Sequence, residues 1–190
     1  MTVILDAGHY EGCPGKRSPV LPDGNQLFEW EFDLDLAHRI KSLLYEHDIK
    51  CIIIPQTESL TARANAINEI CKKEKCIAIS IHGNAAGAGE SWMKATGWEV
   101  WSTKGKTNSD KLAQCFLAEF PKVFPDKKLR GHKEENFTVL QKSNCPCVLT
   151  ENFFYDNEDE CKEMLGYNMR NSIAELHVKA IINYITEYGK

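Results

Sequence analysis

Val3-Ile4-Leu5-Asp6-Ala7-Gly8-His9 is the stretch from which the fold can be read. Three apolar residues, two of them β-branched, read as a short buried strand. Ala7 and Gly8 then allow the backbone to turn tightly. His9 is left at the carboxyl end of a core strand, where open α/β sheets build their sites. Ile77-Ala78-Ile79-Ser80-Ile81-His82 has the same build and runs into Gly83-Asn84-Ala85-Ala86. One histidine at a strand end is ordinarily a satisfied core or loop residue. Two of them, each beside small residues, form a candidate ligand pair for one metal, since imidazole is a common metal ligand.

The totals narrow the classes. A length of 190 residues suits a single domain with a sizeable core, taken here as residues 1–190. Hydrophobic content of 43% and charged content of 26% are those of an ordinary soluble globular chain. A net charge of −4, with no basic cluster interleaved with aromatics, argues against a nucleic-acid surface. No apolar run reaches membrane-spanning length, and no glycine-rich phosphate loop follows a strand. Met1-Thr2 leads straight into the first strand, so no signal peptide is expected. The expectation is synthesis in the cytoplasm with release by other means, or a leader already removed. The eight cysteines include no CxxC pair, and Cys51 and Cys76 open apolar runs, where they would pack as small hydrophobes. Most are expected to be free thiols.

In chain order, residues 10–27 read as a long loop rich in Gly and Pro, and its place directly after His9 favours a functional one. Residues 28–47 read as a helix with the stripe Glu29, Phe32, Asp33, Leu36, Ala37, Ile40, Leu43 and Leu44. Two acids lead that apolar face. Either they favour the positive end of the helix dipole, or one of them binds metal, because buried carboxylates are costly otherwise. Glu29 is the best third ligand by position, and Glu31 and Asp35 lie off the stripe. Then follow a strand at 51–54, a helix from about 57 to 73 with Leu60, Ala64, Ile67 and Cys71 inward, and a strand at 77–81. A strand at 97–101 and a helix from 107 to about 120 come next. A polar loop begins at Leu129, and short strands are expected at 137–140 and 147–150. The last helix covers about 169–188 with Ile173, Leu176, Ala180 and Tyr184 inward. Strands and helices alternate, which gives one α/β domain.

Glu151 repeats the arrangement of the two histidines, a polar side chain ending an apolar strand. Two histidines and a carboxylate on zinc leave a fourth position for water, and a free carboxylate beside that water can act as its base. These are the parts of a zinc hydrolase.

D-A-G-H at 6–9, F-E-W-E-F-D-L-D-L-A at 28–37, S-I-H-G-N-A-A at 80–86 and T-E-N-F-F at 150–154 resemble the zinc-dependent N-acetylmuramoyl-L-alanine amidases of the amidase 3 type. The resemblance also takes in S-L-T-A-R-A-N-A-I-N at 59–68, G-W-E-V-W at 97–101 and R-G at 130–131. It implies Zn²⁺ held by His9, Glu29 and His82, with Glu151 as catalytic base and acid. It further implies a mixed sheet of about six strands flanked by helices, and peptidoglycan as substrate, cut between the lactyl group of N-acetylmuramic acid and L-alanine. This chain carries Asp33 where the family usually has Asn. The loop at 10–27 looks longer than usual in the family. Asn84 and Arg130 are candidate substrate contacts, Arg130 toward a peptide-stem carboxylate, with a turn residue and a solvated surface arginine as the plain alternatives. A zinc peptidase acting on another bond of the wall peptide, or a wall-binding module without turnover, are the competing functions. A chain without a leader suits a phage or prophage lysis enzyme.

Overall fold

The computed structural model describes residues 1–189; residue 190, the last of the expected 1–190 domain, lies outside the described residues. Twelve elements follow in chain order: β1 (Thr2–Ala7), α1 (Glu29–Glu46), β2 (Cys51–Ile53), α2 (Leu60–Cys71), β3 (Cys76–Asn84), β4 (Trp98–Ser102), α3 (Asn108–Val123), β5 (Leu129–Glu134), α4 (Thr138–Lys142), β6 (Cys147–Phe154), α5 (Glu158–Leu165) and α6 (Tyr167–Tyr188). The six strands form one mixed sheet in the order β2-β1-β3-β6-β4-β5. β2, β1, β3 and β6 run parallel, and β4 turns the direction by pairing antiparallel with β6.

Alternation along each strand divides the core. Val3, Leu5, Ile77, Ile79, Ile81 and Val148 face the layer that contains Phe32, Leu36, Phe116, Ile173 and Ile181 of α1, α3 and α6. Ile4, Ala78, Cys147 and Leu149 face the smaller layer with Ile67 of α2 and Val139 and Leu140 of α4. β1 and β3 are buried on both faces, which is why each reads as a continuous apolar run. The expected helix stripe of α1 is buried at Glu29, Phe32, Asp33, Leu36, Ala37, Ile40 and Leu44. No helix among the described residues is long and apolar enough to cross a membrane.

Four expectations are corrected. Residues 137–140 are not a strand: Thr138 begins α4, whose Val139 and Leu140 cap the α2 side of the sheet. An apolar run this short does not distinguish a strand from a helical turn. The fifth strand is instead Leu129–Glu134, read above as a loop because its sequence, LRGHKE, is polar. It is an edge strand paired only with β4, and charged residues suit an edge. On α2, Leu60 is exposed and Arg63 points inward. Finally, Cys76 does not pack as a lone apolar thiol. The short turn between α2 and β3 brings it to Cys71 with their Cα atoms 5.7 Å apart, and the two form a disulfide. The six other cysteines are free, in keeping with the expected majority.

Candidate metal centre and active site

β1, β3 and β6 lie side by side, so their carboxyl ends deliver His9, His82 and Glu151 to one place. His82 and Glu151 are direct register partners. Glu29 arrives from the first turn of α1. Its Oε1 lies 3.1 Å from His9 Nε2 and 3.1 Å from His82 Nδ1. The two imidazole rings meet edge to face with centroids 5.0 Å apart. His9 is in the left-handed region at φ 57°, which a non-glycine residue adopts only when its surroundings hold it there. Gly8 is required beside it: a Cβ at that position would come within 2.5 Å of Asp33 Oδ2 and of the His82 ring.

The donor set suits zinc. Two donors at about 2.0–2.1 Å from a tetrahedral zinc stand about 3.3 Å apart, close to the 3.1 Å from Glu29 Oε1 to either ring nitrogen. The donor atoms of His9, Glu29 and His82 all lie within 4.8 Å of one another. The second oxygen of Glu29 is buried without a hydrogen bond, and Lys16 Nζ stands 3.8 Å from it. Burial opposes ionisation of Glu29, but the His82 and His9 rings set against its Oε1 outweigh it and hold the carboxyl at about 2. Burial keeps His9 below the ordinary imidazole range, despite the counter-pull of Glu29. An ionised carboxylate and a neutral imidazole are the forms that bind metal.

The competing acids are placed elsewhere. Glu31 pairs with Arg170 at 2.9 Å on the outer side of α1. Asp33 is fully buried, does not line the cavity, and has neither carboxyl oxygen hydrogen-bonded. Burial, then the charges of Glu29 and Glu151, push it well above the carboxylate range.

Glu151 sits in the middle of a row across the sheet, between His82 on β3 and Glu99 on β4. Its Oε2 is buried and has no hydrogen-bond partner. Burial first, and then the charges of Glu29 and Glu99, push its carboxyl well above the usual range. Glu99 itself is held by Arg130 Nε at 2.5 Å, Lys133 Nζ at 2.6 Å and Trp101 Nε1 at 3.0 Å.

A cavity of about 670 Å³ opens over this group. His9, Glu29, His82, Glu151 and Asn84 line it, with Tyr10, Cys13 and Lys16 from the 10–27 loop and Leu60, Phe137 and Val139 on the apolar side. The loop is tied down: Ser18 N–H donates to Leu27 O at 2.8 Å, and Glu29 N–H to Lys16 O at 3.0 Å. Arg130 does not line the cavity. Its guanidinium is engaged by Glu99 and lies over the Phe154 ring at 4.9 Å. His132 is hydrogen-bonded to Ser102, His177 is in the core, and His38 and His47 are exposed. Sequence reasoning gave no role to Asp6, Arg63 or Cys13. The signal for Arg63 was there: a charge one turn before the buried Ile67 on an otherwise apolar face.

Fold and site together define an α/β domain with a candidate metal centre at the carboxyl ends of its parallel strands. Residues 3–183 match the family model described as N-acetylmuramoyl-L-alanine amidase, and the chain belongs to that family. It is 26% identical over 189 residues to the endolysin of Bacillus phage SPP1, covering 94% of this chain and 64% of that protein. It is 28% identical over 184 residues to the N-acetylmuramoyl-L-alanine amidase CwlM of Bacillus licheniformis, covering 94% of this chain and 66% of that protein. The chain thus spans slightly under two thirds of each. The crystal structure of an N-acetylmuramoyl-L-alanine amidase from Clostridium difficile 630 superposes with a TM-score of 0.86 at 27% identity, over 99% of this chain and 98% of the other.

Proposed function

We propose that this chain is a zinc hydrolase that cleaves the amide between the lactyl group of N-acetylmuramic acid and L-alanine in peptidoglycan. The observation that carries the reading is the shared position of Glu29 Oε1, 3.1 Å from a nitrogen of each strand-end histidine, with Glu151 beside His82. Family membership supplies the substrate class.

His9, Glu29 and His82 would hold the ion, which when bound lowers the pKa of its water to about 7 and polarises the scissile carbonyl. Glu151 takes the proton of the attacking water and returns it to the departing amine of L-alanine. Its environment suits both tasks, because a buried carboxyl whose pKa is raised above the usual range holds a proton more firmly once it has taken it and can pass it on to the amine. Leu60, Phe137 and Val139 add apolar side chains to the cavity lining. Asn84, on the strand that delivers His82, is the proposed substrate contact. Arg130 bears on the reaction through Glu99, the neighbour of Glu151, rather than by meeting a stem carboxylate. The proposed place of action is the cell wall, and residues 1–190 form the catalytic unit.

Zinc content and product identification on purified peptidoglycan test this together. One zinc per chain and stem peptides with a new amino terminus at L-alanine are expected. Cleavage within the stem would make the chain a peptidase, and binding without cleavage would make it a wall-binding module.

A further inference from the structure

Behind His82 lies a buried polar chain that the proposed reaction does not use. Its members are Ser80, Asp6 and Arg63, which are 0%, 1% and 2% exposed. Arg63 reaches in from α2 with every nitrogen engaged. Nη1 donates to Asp6 Oδ1 at 2.8 Å and to the Ala7 carbonyl at 2.7 Å, Nε donates to the Thr57 carbonyl at 2.8 Å, and Nη2 donates to the His9 carbonyl. Ser80 Oγ stands 2.7 Å from Asp6 Oδ2 and 3.2 Å from His82 Nε2.

Counting protons along this chain gives it a direction. A carboxylate bonded to a guanidinium is an acceptor only, and a hydroxyl has one proton to give. Ser80 therefore donates to Asp6, and its oxygen faces His82 as an acceptor. His82 Nε2 must then carry the ring proton. A neutral imidazole has one N–H, so Nδ1 keeps its lone pair. Nδ1 is the nitrogen that faces Glu29 Oε1. In that tautomer Nδ1 and Oε1, 3.1 Å apart, turn lone pairs toward one point, which is the arrangement a shared metal needs.

We propose that Arg63, Asp6 and Ser80 are positioning residues that fix His82 in the Nε2–H tautomer and so present Nδ1 as its metal-binding atom. The proposal rests on the reading of His82 as a ligand. The same guanidinium also holds the main chain of His9 in its left-handed turn. One arginine thus orients one histidine through its ring and the other through its backbone.

Asp6→Asn tests the direction of the chain. Arg63 can only donate, so the amide oxygen must face Arg63 and the NH₂ must face Ser80. Ser80 then turns its proton to His82 Nε2, and the ring proton is driven to Nδ1. Ser80→Ala removes the acceptor without adding a donor. With folding checked by circular dichroism, both variants should bind zinc about 10–100-fold more weakly than wild type in a chelator competition. In zinc-loaded, ¹⁵N-histidine-labelled wild type, His82 should be protonated at Nε2. Should Asp6→Asn fail to fold, Ser80→Ala and the wild-type ¹⁵N signal still decide the matter. A folded variant with wild-type zinc affinity, or a His82 protonated at Nδ1 in the zinc-loaded protein, overturns the proposal. A wild-type chain that binds no zinc overturns instead the metal reading on which it rests.

Discussion

His82 and Glu151 are register partners across the parallel β3–β6 pairing, one a candidate ligand and the other a candidate proton carrier. Strand pairing holds the two roles side by side without either residue needing the other. Glu151→Gln keeps the size of the side chain and removes the proton acceptor. Zinc should stay bound, while turnover falls by roughly 10²–10⁴. Zinc content and peptidoglycan hydrolysis measured on one preparation check this. Loss of both would make Glu151 a ligand.

Glu29 and Glu31 are two residues apart but face opposite ways, one to the histidines and the other to Arg170. Glu29→Ala should abolish stoichiometric zinc binding and activity together. Glu31→Ala should retain both, at a stability cost of at most about 1 kcal/mol, because its partner Arg170 keeps Asp35 and the pair is partly solvated. Elemental analysis of the two variants separates them, and the reverse pattern would exclude Glu29 as ligand.

Gly8 is needed for space rather than for its backbone angle. In Gly8→Ala the new methyl must push aside Asp33 or the His82 ring, each 2.5 Å from it. A stability loss of about 1–3 kcal/mol is expected, together with weaker zinc binding because His82 moves. Denaturant melts of the metal-free protein and a zinc titration measure the two effects. A variant unchanged in both would show that the neighbours yield freely.

His177 is buried between Thr150 and Ile173, beside Phe116, and burial lowers its pKa to about 4, only partly offset by its bond to the Ile173 carbonyl. The lowered value means that the folded state disfavours the charged ring. Its contribution to stability is complete above about pH 6.5, the unfolded value, and is lost as pH falls toward about 4. At about 1.4 kcal/mol per pH unit, the loss across that range amounts to about 3 kcal/mol. Urea melts between pH 7 and 4 should show this fall in wild type and a smaller one in His177→Gln. Equal slopes would assign the acid sensitivity to other groups.

The positions of His9, His82, Glu29 and Glu151 were legible in the sequence because each follows from periodicity. An apolar strand run ends at a polar residue, and a helical stripe begins with an acid, so local pattern marks both. The resemblance then joined four such marks into one site. Less was legible where local pattern is ambiguous or silent. The polar edge strand Leu129–Glu134 has no buried face to write a period of two, and Val139-Leu140 is too short a run to tell strand from helix. Strand order, the reversal at β4, the Cys71–Cys76 bond and the inward turn of Arg63 depend on which elements pack together. The same holds for the tautomer of His82. Its direction passes from α2 to β1 to β3 through side chains 57 and 74 residues apart in sequence, and hydrogen bonds between such distant residues exist only once the tertiary structure has closed around them.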